Sequence, residues 1–171
     1  ERFMQAIEDI EAELDKRIDF FVGKGMDLEA HRIEQRTKFD LEMLREVGSC
    51  KGVENYSLHF DGREVGERPY CLLDFYRYCA EHFHGGVDRY LVIMDESHVT
   101  LPQVGGMFGG DWSRKKNLVD FGFRLPSAHD NRPLKMKEFQ EIIPQMLYVS
   151  ATPGERELRH LAEITGQEIH Q

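Results

Sequence analysis

The sequence contains no GxxxxGK[ST] run, the loop whose backbone N–H groups cradle nucleotide phosphates and whose lysine reaches them. By itself, then, the chain has no phosphate cradle of that kind. No apolar stretch approaches the ~20 residues a helix needs to span a bilayer, and no signal-peptide pattern is visible. Cysteines number only three (Cys50, Cys71 and Cys79), an odd count that argues against a disulfide framework and for a reducing cytoplasm. With 171 residues, 40% of them hydrophobic, the chain can build one domain or two small ones. A formal net charge of −9 excludes nucleic-acid binding driven by bulk charge.

What is present is concentrated at Tyr90-Leu91-Val92-Ile93-Met94-Asp95-Glu96-Ser97-His98. An apolar run that stops at two adjacent carboxylates suits a buried strand of a parallel sheet, with the acids at the carboxyl end where such sheets bind ligands. It has the form of a Walker B element: Asp95 would hold Mg²⁺ through water, and Glu96 would orient the water that attacks a γ-phosphate. About fifty residues on, Met146-Leu147-Tyr148-Val149 ends in Ser150-Ala151-Thr152-Pro153-Gly154, whose small hydroxyl side chains can bond neighbouring loops. DESH followed by SATP is the spacing of motifs II and III in superfamily 2 helicases. In that reading His98, Ser150 and Thr152 couple nucleotide state to movement.

The charge is unevenly spread. Between Gly105 and Lys137 the bases Arg114, Lys115, Lys116, Arg124, Arg132, Lys135 and Lys137 face only Asp111, Asp120 and Asp130, whereas residues 1–34 carry ten acids against five bases. Local patches decide phosphate contacts, although a solvated basic helix face would give the same pattern.

Residues 1–48 read as two antiparallel helices. Phe3, Ile7, Ile10, Leu14, Ile18 and Phe21 recur every three or four residues, Gly23-Lys24-Gly25 makes a turn, and Asp27 can cap a second helix. That second helix would turn Ala30, Ile33, Leu41 and Leu44 inward and end near Gly48. Residues 49–69 read as irregular with a helical turn around Glu54–His59, and Tyr70 to Phe83 as a helix with Leu72, Leu73, Tyr76 and Ala80 on one face. Cys71, Cys79, His82 and His84 are possible zinc ligands, but their spacing is not a standard one. Ser97 and His98 beside Asp95 could suggest nucleophilic catalysis, yet sequence neighbours seldom form a triad.

Between the two strand motifs, His98-Val99-Thr100-Leu101-Pro102-Gln103, Gly110-Asp111, Arg114-Lys115 and Gly122-Phe123-Arg124-Leu125-Pro126-Ser127-Ala128-His129-Asp130-Asn131-Arg132-Pro133-Leu134 closely resemble the UvrB family, the damage-verifying subunits of bacterial excinucleases. Glu34 to Met43 and Gly52 to Ser57 are similar to the same family. Arg77 to Gly86 departs from it as an insertion of roughly ten residues, on the count of the quoted stretch. The resemblance implies an α/β fold: a partial RecA-like (P-loop NTPase) motor domain carrying a helical-hairpin insertion. Residues 1–86 would form the hairpin and mixed insertion lining the DNA path, and 87–171 the C-terminal part of the first helicase domain.

It further implies ATP and Mg²⁺ as cofactors, damaged double-stranded DNA as substrate, and UvrA and UvrC as partners in nucleotide excision repair. Arg36, Glu54, Tyr56 and Arg124 fall where the family lines the DNA path near a hairpin clamp; Tyr56 and Phe123 could stack on bases or pack internally. With no Walker A loop and no initiator Met, the chain reads as an internal fragment, inactive as an ATPase alone. Another superfamily 2 translocase, or a non-catalytic adaptor with a vestigial acidic strand end, are the alternatives.

Overall fold

The computed structural model describes residues 1–166. They divide into two compact units: Glu1–Pro69 with Gly109–Pro133, and Tyr70–Phe108 with Leu134 onward. Helix α5 (Ser97–Asp120) begins in the second of these units and ends in the first.

The first unit is a helical hairpin, α1 (Arg2–Gly23) and α2 (Asp27–Val47). Its turn is closed by the Met26 N–H donating to the Phe21 carbonyl, with Gly25 at φ +70°. The apolar stripe is buried as its spacing requires. Ile7, Ile10, Leu14 and Phe21 of α1 meet Ala30, Ile33, Leu41 and Leu44 of α2, joined by Cys50, Tyr56 and Leu125. Each fully buried aliphatic or aromatic side chain there contributes about 1.5–3 kcal/mol, the force that holds the hairpin. Phe3, at the open end of the stripe, stays part-exposed and stacks on Phe60 with ring centroids 5.6 Å apart. Asp27 does not cap α2 but is its first residue; Met26 holds the cap position, and no side chain bonds there. A 3-10 turn (Val53–Tyr56) and the short α3 (Ser57–Asp61) follow.

The C-terminal part of α5 and a second 3-10 turn (Pro126–Asp130) complete this unit. Arg17 Nη2 donates to the Val119 carbonyl at 2.9 Å, and Arg32 bonds the Phe121 carbonyl. Glycine is required at position 122, just after them: the φ of Gly122 is +68°, and a Cβ would lie 2.5 Å from the Glu29 carbonyl oxygen.

The second unit holds α4 (Leu72–Phe83), β1 (Val92–Met94), the start of α5, α6 (Met136–Ile142), β2 (Met146–Tyr148) and α7 (Glu155–Thr165). The Asp74 carboxylate accepts the Cys71 N–H at 2.8 Å and so opens α4. On α4 only Ala80 is buried, so the expected Leu72–Tyr76 face is not an internal one within this unit. β1 and β2 are parallel, pairing Val92 with Met146, Ile93 with Leu147 and Met94 with Tyr148.

This overturns the expectation of a partial RecA-like α/β motor domain. Among the described residues the chain is mostly helical, and its sheet has two strands of three residues each. The apolar run Tyr90–Met94 does not form a strand buried on both faces, for Ile93 is 62% exposed and its partner Leu147 50%. A doubly wound fold needs helices covering both faces of a wider sheet.

Candidate functional site

The carboxyl end of β1 is a bonded knot. The Val149 N–H donates to the Met94 carbonyl at 2.9 Å, and the Ser97 N–H to the Val149 carbonyl at 3.1 Å, extending the ladder past the strands. Asp95 Oδ1 accepts the Glu96 N–H at 2.9 Å, and Thr100 Oγ1 donates to the Asp95 carbonyl at 3.0 Å. Glu96 has φ +45°, the sole non-glycine positive value among the described residues. Such a conformation costs a β-carbon residue on the order of 1–2 kcal/mol and persists only where its surroundings fix it. Asp95 and Glu96 are both exposed at this turn.

The sequence-predicted coupling residues come together here. His98 Nδ1 lies 2.7 Å from Ser150 Oγ and 3.4 Å from Glu96 Oε2. Ser150 Oγ in turn accepts the Thr152 N–H at 3.1 Å. One chain of polar contacts thus runs from the acid pair through His98 and Ser150 to Thr152. Two exposed carboxylates on a fixed turn offer hard oxygen donors, the set that Mg²⁺ takes while keeping several of its waters. A cleft of about 890 Å³ in the same unit is lined by Ser97, Tyr148, Ser150 and Glu157, among others, but not by Asp95 or Glu96. The acid pair faces solvent rather than this cleft.

Sequence reasoning missed Glu157. It is the third residue of α7, and its carboxylate accepts both the Gly154 N–H, as a helix cap, and the Ser97 hydroxyl. It is only 7% exposed, and Ser97 is fully buried. Tyr148's own burial, and then the charge of Glu157, push that phenol upward. The Gly154-x-x-Glu157 spacing is a readable capping signal, but nothing local announces the bond to Ser97, sixty residues away.

In the first unit, the four residues assigned to a DNA path gather around Cys50 and Gly52. Arg36 Nε pairs with Asp40 at 2.9 Å while its Nη2 bonds the Lys51 carbonyl at 2.8 Å. Built on Gly52, a Cβ would be 3.8 Å from Arg124 Nη2 and 3.9 Å from Glu54 Oε1. The Cys50 thiol is pushed up to about 11, first by burial and then by Asp40. Burial thus disfavours its thiolate, the form that would act as a nucleophile. Tyr56 is 4% exposed and donates its hydroxyl to Asp40 at 2.9 Å, so it packs rather than stacking on a base. Burial, then Asp40, raises its phenol well above the usual range. Phe123 is exposed, with the Arg32 guanidinium 4.3 Å from its ring centroid.

The basic excess between Gly105 and Lys137 is not a free cationic stripe. Lys115 is 3% exposed and pairs with Asp111 at 2.9 Å, as does Arg114; Lys116 pairs with Asp120 at 2.6 Å. Burial opposes the charge of Asp111, but the bonds from Lys115 and Arg114 outweigh it and hold the carboxyl below its usual range. Arg132 is buried, donating to the Pro133 and Gly66 carbonyls. Lys135 sits 5.0 Å from the Phe108 centroid, and Lys137 is 3.7 Å from Glu141. No helix among the described residues is long and apolar enough to cross a membrane. Nor does any group of three or more His, Cys, Asp or Glu among them gather as a metal cluster. Cys71 holds the cap position just before α4, and Cys79 is exposed on that helix.

Comparison with known proteins bears on this arrangement. Residues 1–62 match the family described as the UvrB third helical domain, in accord with the helical hairpin. The chain is 53% identical over 165 residues to UvrABC system protein B of Natranaerobius thermophilus, covering 96% of this chain and 24% of that protein. Against the protein of the same name from Streptomyces avermitilis, identity is 56% over 92% of the chain and 21% of the relative. For Neisseria meningitidis serogroup B the figures are 51%, 97% and 23%. The chain spans about a quarter of the length of these curated relatives. Residues 1–62 thus match a UvrB domain family, and nearly all of the chain is similar to a part of the proteins named UvrABC system protein B.

Proposed function

We propose that the chain acts within an ATP-dependent subunit of nucleotide excision repair that verifies DNA damage by clamping one strand of the duplex. The observation that carries this is the bonded strand end, where Asp95 and Glu96 face solvent and His98 reaches Ser150, in a chain 51–56% identical to proteins named UvrABC system protein B. Asp95 would hold Mg²⁺ through water, and Glu96 would orient the attacking water. His98, Ser150 and Thr152 would relay a change at the acid pair into the loop before α7. ATP with Mg²⁺, when bound, supplies phosphoryl transfer to water, and its phosphate cradle would come from residues outside this sequence. Residues 1–86, with Arg36 and Glu54, would lie along the DNA path, Arg124 beside them; residues 87–171 would carry motifs II and III. Damaged duplex DNA is the proposed substrate, UvrA and UvrC the proposed partners, and the cytoplasm the proposed location.

The test completes the chain at both ends with the flanking regions of the Natranaerobius relative and measures ATP hydrolysis with and without damaged duplex DNA. Stimulated turnover that falls at least ~100-fold in Glu96→Gln supports the reading, since a positioned acid–base group contributes 10²–10⁴. A folded, completed protein without turnover in either form overturns it and leaves a non-catalytic adaptor in the lead.

A further inference from the structure

The backbone of Glu96 is held in a costly conformation, and Glu157 stands behind it. Immediately after Glu96 comes Ser97, fully buried, whose N–H is bonded to Val149 and whose hydroxyl is bonded to the Glu157 carboxylate. The other carboxylate oxygen caps α7 through Gly154. One buried carboxylate therefore ties the third residue of the DESH motif to the helix that follows the SATP motif. Unlike the His98–Ser150 contact, this tie is almost wholly shut off from water. Hydrogen bonds to a charged acceptor are the stronger kind, and a buried carboxylate that loses a partner is costly to leave unmet.

We infer that Glu157 is a positioning residue for the acid pair: it anchors Ser97 and so keeps Glu96 in its left-handed turn with the carboxylate outward. The inference rests on the nucleotide-hydrolysis reading given above. When the acid pair shifts, Ser97 moves with it, and Glu157 must change its hold on the N-terminus of α7. Glu157 thus offers a second route from the acid pair to α7, in parallel with His98, Ser150 and Thr152.

The test uses the completed chain with three substitutions: Glu157→Ala, Glu157→Gln and Ser97→Ala. In the nucleotide-free protein, amide hydrogen exchange at Ser97, Val99 and Thr100 is expected to accelerate about tenfold in Glu157→Ala, while Val119 and Asp120 keep their rates. ATP turnover at saturation is expected to fall about tenfold with KM for ATP unchanged, the mark of lost alignment rather than lost binding. Glu157→Gln keeps an acceptor for Ser97 and is expected to restore most of both readouts. Ser97→Ala is expected to match Glu157→Ala, and the double variant to lose no more than either alone. Unchanged exchange at Ser97, or turnover unaffected in folded Glu157→Ala while Glu96→Gln is inactive, overturns the inference but not the hydrolysis reading. Full turnover in Glu96→Gln overturns both. Should Glu157→Ala fail to fold, Ser97→Ala carries the same test.

Discussion

The two units handle apolar residues in opposite ways. In the first, the hairpin hides Ile7, Ile10, Phe21, Ile33 and Leu44 almost completely. In the second, Leu72, Phe75, Tyr76, Phe83, Leu91, Ile93 and Leu147 remain exposed. The second unit's ordering at the strand ends comes instead from polar ties: Ser97 to Glu157 and His98 to Ser150. The first unit packs one apolar cluster, whereas the second buries Ala80, Met94, Leu101, Ile142 and Ile143 and adds hydrogen bonds around a strained turn. Packing is tolerant of pH and salt but intolerant of lost volume, while polar ties have the reverse sensitivities.

The contrast is broken most directly by truncation. Phe21→Ala is expected to cost about 3–5 kcal/mol in urea unfolding, as buried aromatics do, whereas the exposed Ile93→Ala should cost under ~1 kcal/mol. Equal losses would mean that Ile93 packs as closely as Phe21 does. Glycine exchange comes next. Gly122→Ala must move the Glu29 backbone and hold a left-handed φ, so a loss of about 2 kcal/mol or more is expected. Gly106→Ala meets nothing within 4 Å inside α5, and should instead raise stability by up to ~1 kcal/mol.

A subtler probe is Tyr56→Phe, which strips a buried donor from Asp40; a loss of roughly 1–2 kcal/mol in thermal unfolding is expected. The smallest effect is a pH dependence traced to one polar tie within the first unit. Burial works against the charge of Glu13, but bonds from His59 and Ser127 outweigh it and bring the carboxyl below its ordinary 4.5. Because the folded value is depressed, the stabilisation is present above pH 4.5 and is lost as pH falls through the folded value. Urea midpoints should therefore decline on acidification below that point, and less so in Glu13→Gln. A matching decline in Glu13→Gln would assign the acid sensitivity elsewhere.

The hairpin was legible because its information is local: a stripe every three or four residues, a Gly-Lys-Gly turn and Gly48 at the end of α2. The acid pair was legible as a motif, as were His98 and Ser150 as members of two motifs, but the contact between those two was not. The two strands were legible but the small extent of the sheet was not, because an apolar run states that residues avoid water without stating how many strands pair. α5 was hidden by Pro102 and by Gly105, Gly106, Gly109 and Gly110, which locally favour interruption. Burial of Lys115 and the role of Glu157 depend on partners brought close by folding, Glu157's lying sixty residues away. Composition records neither.

The two arginines near Gly52 differ in what they have already spent. Arg36 is committed to Asp40 and to the Lys51 carbonyl, whereas among the described residues Arg124 bonds the neighbouring Phe123 carbonyl alone. A phosphate reaching Arg36 would first have to displace a carboxylate, and Asp40 would then gather counterions of its own. Displacing salt from a nucleic-acid backbone through this cluster would thus count fewer ions than it has arginines, with Arg124 giving the full increment. An affinity measured across ionic strength would read this cluster as one arginine plus a fraction.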